Sequence, residues 1–142
     1  MKGITRSHIL PVAVFLAGIL LSTMGCEAQK ARKAAVKEGE IYFKSYCAIC
    51  HGENADGKGD MASMLDRPPM DLTTIAKRRG GVFPEDEIAR IIATAERTPG
   101  HSLGEMPAWW ETLKKAENID DPEILRQKIE NIVAYLKTLQ KE

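Results

Sequence analysis

The run Cys47-Ala48-Ile49-Cys50-His51 constrains this 142-residue chain more than any other feature. Two thiols three residues apart, followed at once by a histidine, form the C-x-x-C-H spacing by which c-type haem is attached. Each position has a chemical task. The thiols add across the haem vinyl groups as thioethers, and the imidazole of His51, held beside that link, binds iron from one face. Other readings of the same residues are weaker. A redox dithiol needs a βαβ context, which the chain lacks. Zinc needs further ligands, and beyond Cys47, Cys50 and His51 only His101 remains in the mature chain. A structural disulfide fits an oxidising compartment but leaves the long loops without a core.

The length suits one domain. With 44% hydrophobic and 28% charged residues, the chain is neither disordered nor a multi-span membrane protein. Its 20 basic and 20 acidic side chains give no basic surplus for nucleic acid, so no nucleic-acid partner is expected.

The spacing of apolar residues predicts an all-α domain. Val36, Gly39, Phe43, Tyr46 and Cys50 recur at three- and four-residue steps, as on an amphipathic helix running into Cys47. Gly39 inside it costs about 1 kcal/mol relative to alanine, which marks close approach of another helix. Asp120-Asp121-Pro122 opens a final helix whose stripe is Leu125, Ile129, Ile132, Val133, Leu136 and Leu139. Pro84 and three acids open a central helix carrying Ile88, Ile91 and Ile92. Shorter helices are expected over Leu72 to Arg79, ending at Gly80-Gly81, and from Trp109. Long irregular stretches remain, Gly52 to Pro69 and Thr98 to Pro107, and a domain with so much loop needs more than side chains in its core. Gly52 to Asp60 is acidic and glycine-rich but lacks the twelve-residue calcium pattern, and reads as a polar surface loop.

The N-terminus reads as an export signal. Lys2 and Arg6 precede a 13-residue apolar stretch, Ile9 to Leu21, too short for a membrane span of about 20 residues. Thr23-Met24-Gly25-Cys26 resembles the lipobox of bacterial lipoproteins, in which Cys26 takes the lipid and becomes the first mature residue; Thr23 stands where leucine is usual. Lipidation also accounts for the odd third cysteine, and two or more acyl chains anchor stably. A simple signal peptide cut near Ala28 is the alternative. The expected organisation is a signal peptide over 1–25, a polar tether over 26–35 and the folded domain over 36–142. Removing the signal leaves 18 basic against 20 acidic side chains.

From Val36 onward the chain resembles the monohaem class I cytochromes c. That family opens with a helix like Gly39-Glu40-Ile41-Tyr42-Phe43 leading into the haem motif and closes with one like Ile132-Val133-Ala134-Tyr135-Leu136-Lys137. The resemblance implies that these helices cross at right angles around one covalent haem c, with a glycine matching Gly39 at the contact and residues matching Tyr135 and Leu136 packed over it. It also implies an axial methionine in a loop before the last helix, often as Met-Pro, and Met106-Pro107 fits that place. Proline fixes its own φ and biases Met106 toward extended backbone. His101 is the bis-histidine alternative and Met70 the reserve; Met61, Met64 and Met70 otherwise read as flexible core filling. In the family a carbonyl from a proline region holds the proximal histidine, which Arg67, Pro68 or Pro69 would supply. Trp109, Trp110, Arg78 and Arg79 are candidates to meet the haem propionates.

The expected function is one-electron Fe(III)/Fe(II) transfer in the periplasm by a carrier rather than an enzyme, lipid-anchored through Cys26. Redox protein partners would meet it at the haem edge. The alternatives are a subunit of a larger oxidoreductase complex and a haem enzyme or gas sensor with a labile sixth ligand.

Overall fold

The computed structural model describes the backbone of residues 9–95 and 106–141, with side chains from residue 25 onward. The chain divides into two compact units, Met1–Ala34 and Ala35–Glu142. Helix α1, Ile9–Tyr42, passes through the boundary between them. Residues 26–35 are therefore helical. Glu27, Gln29, Lys30, Arg32 and Lys33 among alanines are strong helix formers, and no glycine or proline interrupts them. Among the described residues no helix is long and apolar enough to cross a membrane.

The second unit is all-α. After α1 come a π-helical turn, Phe43–Cys47, and the one-turn helix α2, Ala48–His51. Two 3-10 turns, Ala62–Met64 and Leu72–Thr74, lead to α3, Ile75–Arg78, and α4, Glu85–Thr94. Helices α5, Trp109–Ala116, and α6, Pro122–Thr138, complete the fold.

Helix α6 starts where the sequence places it. The Asp121 carboxylate accepts from the Glu123 N–H at 2.8 Å, an N-cap contributing about 1 kcal/mol, and Pro122 takes the first turn, where its missing N–H costs nothing. Asp120 does not cap; it lies 3.7 Å from Lys114. The acids expected at the start of α4 are there, and Glu85 also pairs with Lys137 of α6. Ile88, Ile91 and Ile92 of α4 meet Leu113 of α5 and the Leu125, Ile129, Ile132, Val133 and Leu136 stripe of α6 in one core, joined by Phe43, Cys47, Ala48 and Ala55.

Gly39 carries the contact between α1 and α6. A Cβ there would lie 1.8 Å from the Asn131 carbonyl oxygen and 2.9 Å from the Ile132 nitrogen, so only glycine permits this approach. The polar groups at the contact are satisfied: the buried Asn131 side chain donates to Glu38 and accepts from Gln127. Tyr135 packs one turn further along, its ring 5.5 Å from that of Phe43. The closest approach at Gly39 is thus to the backbone of Asn131 and Ile132.

Candidate functional site

The helix entering the motif changes pitch just before it. The Ala48 N–H bonds to the Phe43 carbonyl, a five-residue step wider than the α-helical turn. An α-helix advances residues i and i+4 by more than a full turn, and the wider turn offsets that drift. Gly39, Phe43 and Cys47 therefore all face inward.

Helix α2 consists of Ala48, Ile49, Cys50 and His51, and a helix that short leaves all four carbonyls without an intrahelical partner of its own. The chain returns to fill each of them. Gly52 donates to the Ala48 carbonyl at 2.7 Å, Met61 to Ile49 at 2.9 Å, Gly59 to Cys50 at 3.2 Å and Gly57 to His51 at 2.8 Å. Glycine makes this wrap possible. Gly52 and Gly57 both have φ of +80°, and a Cβ on Gly59 would sit 2.4 Å from the Ile49 oxygen. Ala55 is fully buried, and its carbonyl accepts from the Leu72 N–H. The stretch after His51 is therefore a cap on the motif, not the plain surface loop its polar composition suggests. One of its acids serves the turn itself: the Asp56 carboxylate accepts from the Lys58 N–H.

Cys47 and Cys50 lie three residues apart on neighbouring helical turns, and both are free thiols. Burial pushes the Cys47 thiol up to about 12, with the neighbouring Cys50 adding to the shift. His51 closes α2 with its Nδ1 buried. Pro69 is brought to the same loop: a Cβ on Gly57 would lie 2.3 Å from the Pro69 oxygen, and Gly57 itself bonds to His51.

Met106 is half-buried and packed against the core, three residues before α5. Its rival His101 lies outside the described residues. Met61, Met64 and Met70 are 40%, 76% and 42% exposed, so they are not core filling. Met61 and Met64 flank and end the single 3-10 turn Ala62–Met64, and Met70 lies in irregular chain, so none is on a helix long enough to turn an apolar face inward. Arg79 is held by a two-pronged pair to Glu87 at 2.6 and 2.7 Å, and Arg78 by the Asp71 carbonyl and the Thr74 hydroxyl. Trp109 and Trp110 pack against the core. Cys26 is exposed.

Sequence reasoning missed one cluster beside the motif. Tyr42 and Tyr46 both donate to the Glu117 carboxylate, at 3.0 and 2.7 Å. Lys128 of α6 lies 3.4 Å from that carboxylate, bonds to the Tyr42 hydroxyl and stands 4.2 Å over the Tyr42 ring. The Tyr46 ring stacks on Tyr42 and meets Trp109 at 5.6 Å. The bond to Glu117, with some desolvation, holds the Tyr46 hydroxyl above the usual tyrosine range. The only signal in the sequence is the i, i+4 pair of tyrosines ahead of Cys47.

The donor set suits a haem: two unbridged thiols, an imidazole on a braced turn, and a soft thioether against the core. Among the described residues no three His, Cys, Asp or Glu side chains are grouped to hold a metal ion by themselves. A family model described as Cytochrome c matches residues 36–140. The chain belongs to the cytochrome c family. Membership brings haem c binding and haem-based electron transfer, and it fits the all-α architecture. No curated protein and no solved structure matches the chain.

Proposed function

We propose that this cytochrome c is a monohaem class I electron carrier of the periplasm, exported by a lipoprotein signal and tethered to a membrane through lipid on Cys26. The observation that carries the reading is the C-x-x-C-H turn itself, with free Cys47 and Cys50 and all four α2 carbonyls capped by its own loop. Bound haem supplies the one-electron Fe(III)/Fe(II) couple. The chain does the rest. Cys47 and Cys50 hold the group through thioethers. His51 would bind the iron, and a carbonyl from the Pro69 region, which lies beside Gly57 of the same loop, would orient its ring. Met106 would supply the second iron ligand, with Pro107 fixing the backbone beside it. A thioether ligand and a largely apolar surround favour the reduced state and raise the potential. Two side-chain ligands would leave the iron no open position for a substrate, which is the arrangement of a carrier. Partners meet it through a small transient interface, below about 1,200 Å².

The test is optical. Protein matured in a haem-attaching host should keep its pigment in acidified organic solvent and show a far-red sulfur-to-iron band when ferric. Met106→Ala should abolish that band while Met70→Ala preserves it. Extractable pigment defeats the covalent assignment, and a wild type without the band defeats Met106. Prompt carbon monoxide binding by the native ferrous protein favours an enzyme or sensor instead, and stoichiometric copurifying subunits favour a complex.

The tether has its own measurement. Cys26→Ala should move most of the cytochrome from the membrane fraction to the soluble periplasmic fraction, because the acyl chains supply the binding. Because Cys26→Ala also blocks cleavage of the signal, labelled fatty acid gives the decisive reading: it should enter the wild type and not the variant, and an unlabelled wild type rules out lipidation at Cys26.

A further inference from the structure

We infer that Glu117 is a positioning residue for the loop that carries Met106: it anchors the far end of α5 to the helix bearing the haem motif, and the near end of α5 is where Met106-Pro107 enters. The inference rests on Met106 being the axial ligand.

Helix α5 has only eight residues, too few to hold itself in place, so its position comes from what it touches. Trp109, Leu113 and Glu117 fall at i, i+4 and i+8 on one face. Leu113 is fully buried in the middle of that face. The two ends are fastened to one side chain. The Tyr46 ring packs on Trp109, and its hydroxyl donates to Glu117 at 2.7 Å. Tyr42 donates to the other carboxylate oxygen at 3.0 Å, and Lys128 of α6 balances the charge at 3.4 Å. Tyr46 immediately precedes Cys47, so the clamp references α5 to the thioether attachment itself. From α5 the path to the ligand is short. The Ala108 carbonyl accepts from both the N–H and the hydroxyl of Thr112, and Pro107 restricts the one residue left between Ala108 and Met106. A displacement of α5 is thereby passed to the sulfur rather than absorbed by slack chain.

The experiment measures imidazole binding to the ferric holoprotein, since imidazole enters only when Met106 leaves. Glu117→Ala should tighten imidazole binding about tenfold and weaken the far-red band, the scale of one lost hydrogen bond to a charged group. Glu117→Gln, which keeps one acceptor oxygen for a tyrosine, should recover part of the difference. Ile132→Val supplies the comparison, a loss of about 1 kcal/mol in the core with the clamp intact. If Glu117→Ala changes imidazole affinity no more than Ile132→Val does, the inference is wrong while Met106 stands. A wild type lacking the sulfur band overturns both. Should Glu117→Ala give no holoprotein, Tyr46→Phe decides: it keeps the ring on Trp109, removes the hydroxyl, and should tighten imidazole binding several-fold, whereas no change overturns the clamp.

Discussion

Gly39→Ala should lower the melting temperature of the holoprotein by about 12 °C or more, reflecting a loss of about 3 kcal/mol. Helix propensity alone predicts the opposite, a gain of about 1 kcal/mol from replacing an interior glycine. Packing decides the sign. The added methyl carbon would lie 1.8 Å from the Asn131 oxygen, 2.4 Å from its carbonyl carbon and 2.9 Å from the Ile132 nitrogen. All three are backbone atoms of α6, so no rotamer change can move them away, and α1 and α6 must separate. Separation also weakens the Asn131–Glu38 hydrogen bond and the Phe43–Tyr135 contact beside it. Thermal unfolding followed by circular dichroism measures the effect. A shift under about 3 °C means that the helices do not touch at Gly39.

Gly59→Ala should cost about 2–3 kcal/mol, and unlike Gly39→Ala it should also disturb the haem spectrum. Here the methyl group would meet the Ile49 oxygen at 2.4 Å, the Cys50 carbonyl carbon at 2.5 Å and the Ala48 oxygen at 2.6 Å. These atoms belong to the haem-binding turn itself. The loop can relieve the clash only by lifting away, which breaks the bonds from Gly59 to Cys50 and from Met61 to Ile49 and leaves two carbonyls uncapped. The diagnostic comparison sets the Soret position and the far-red band of Gly59→Ala against those of Gly39→Ala at equal fraction folded. Identical spectra would show that the cap does not fix the geometry of His51.

How much of this was legible in the sequence follows from how local each signal is. The C-x-x-C-H run, the Asp121 cap with Pro122, the acids of α4 and the stripe of α6 are short-range patterns, and each lies where its spacing indicates. Gly39 was legible through its conformational cost, because a glycine inside a good helix needs a reason. The wrap of Gly52 to Met61 onto α2 was not. Its partners are backbone groups, which every residue carries alike, so only the glycines at 52, 57 and 59 hint at it. The Glu117 clamp joins residues 71 and 75 positions apart, a separation at which no periodicity survives. Hydrophobicity misplaced Met61, Met64 and Met70, since an apolar side chain in irregular chain has no helical face to turn it inward. The helical backbone over 26–35 was not read from its polar composition, although alanine, lysine and arginine favour helix.

The wrap after His51 bears on how this protein can change over generations. Surface loops ordinarily tolerate insertions and deletions. Here the donors at 52, 57, 59 and 61 must meet acceptors at 48, 51, 50 and 49 respectively, all at once, so the count of residues between them is restricted, as the spacing of the two thiols is. Side chains such as those of Glu53 and Lys58 are free to drift, whereas a single added or lost residue misaligns the whole set. Beyond the glycines at 52, 57 and 59, length rather than identity is what selection has to hold in this segment.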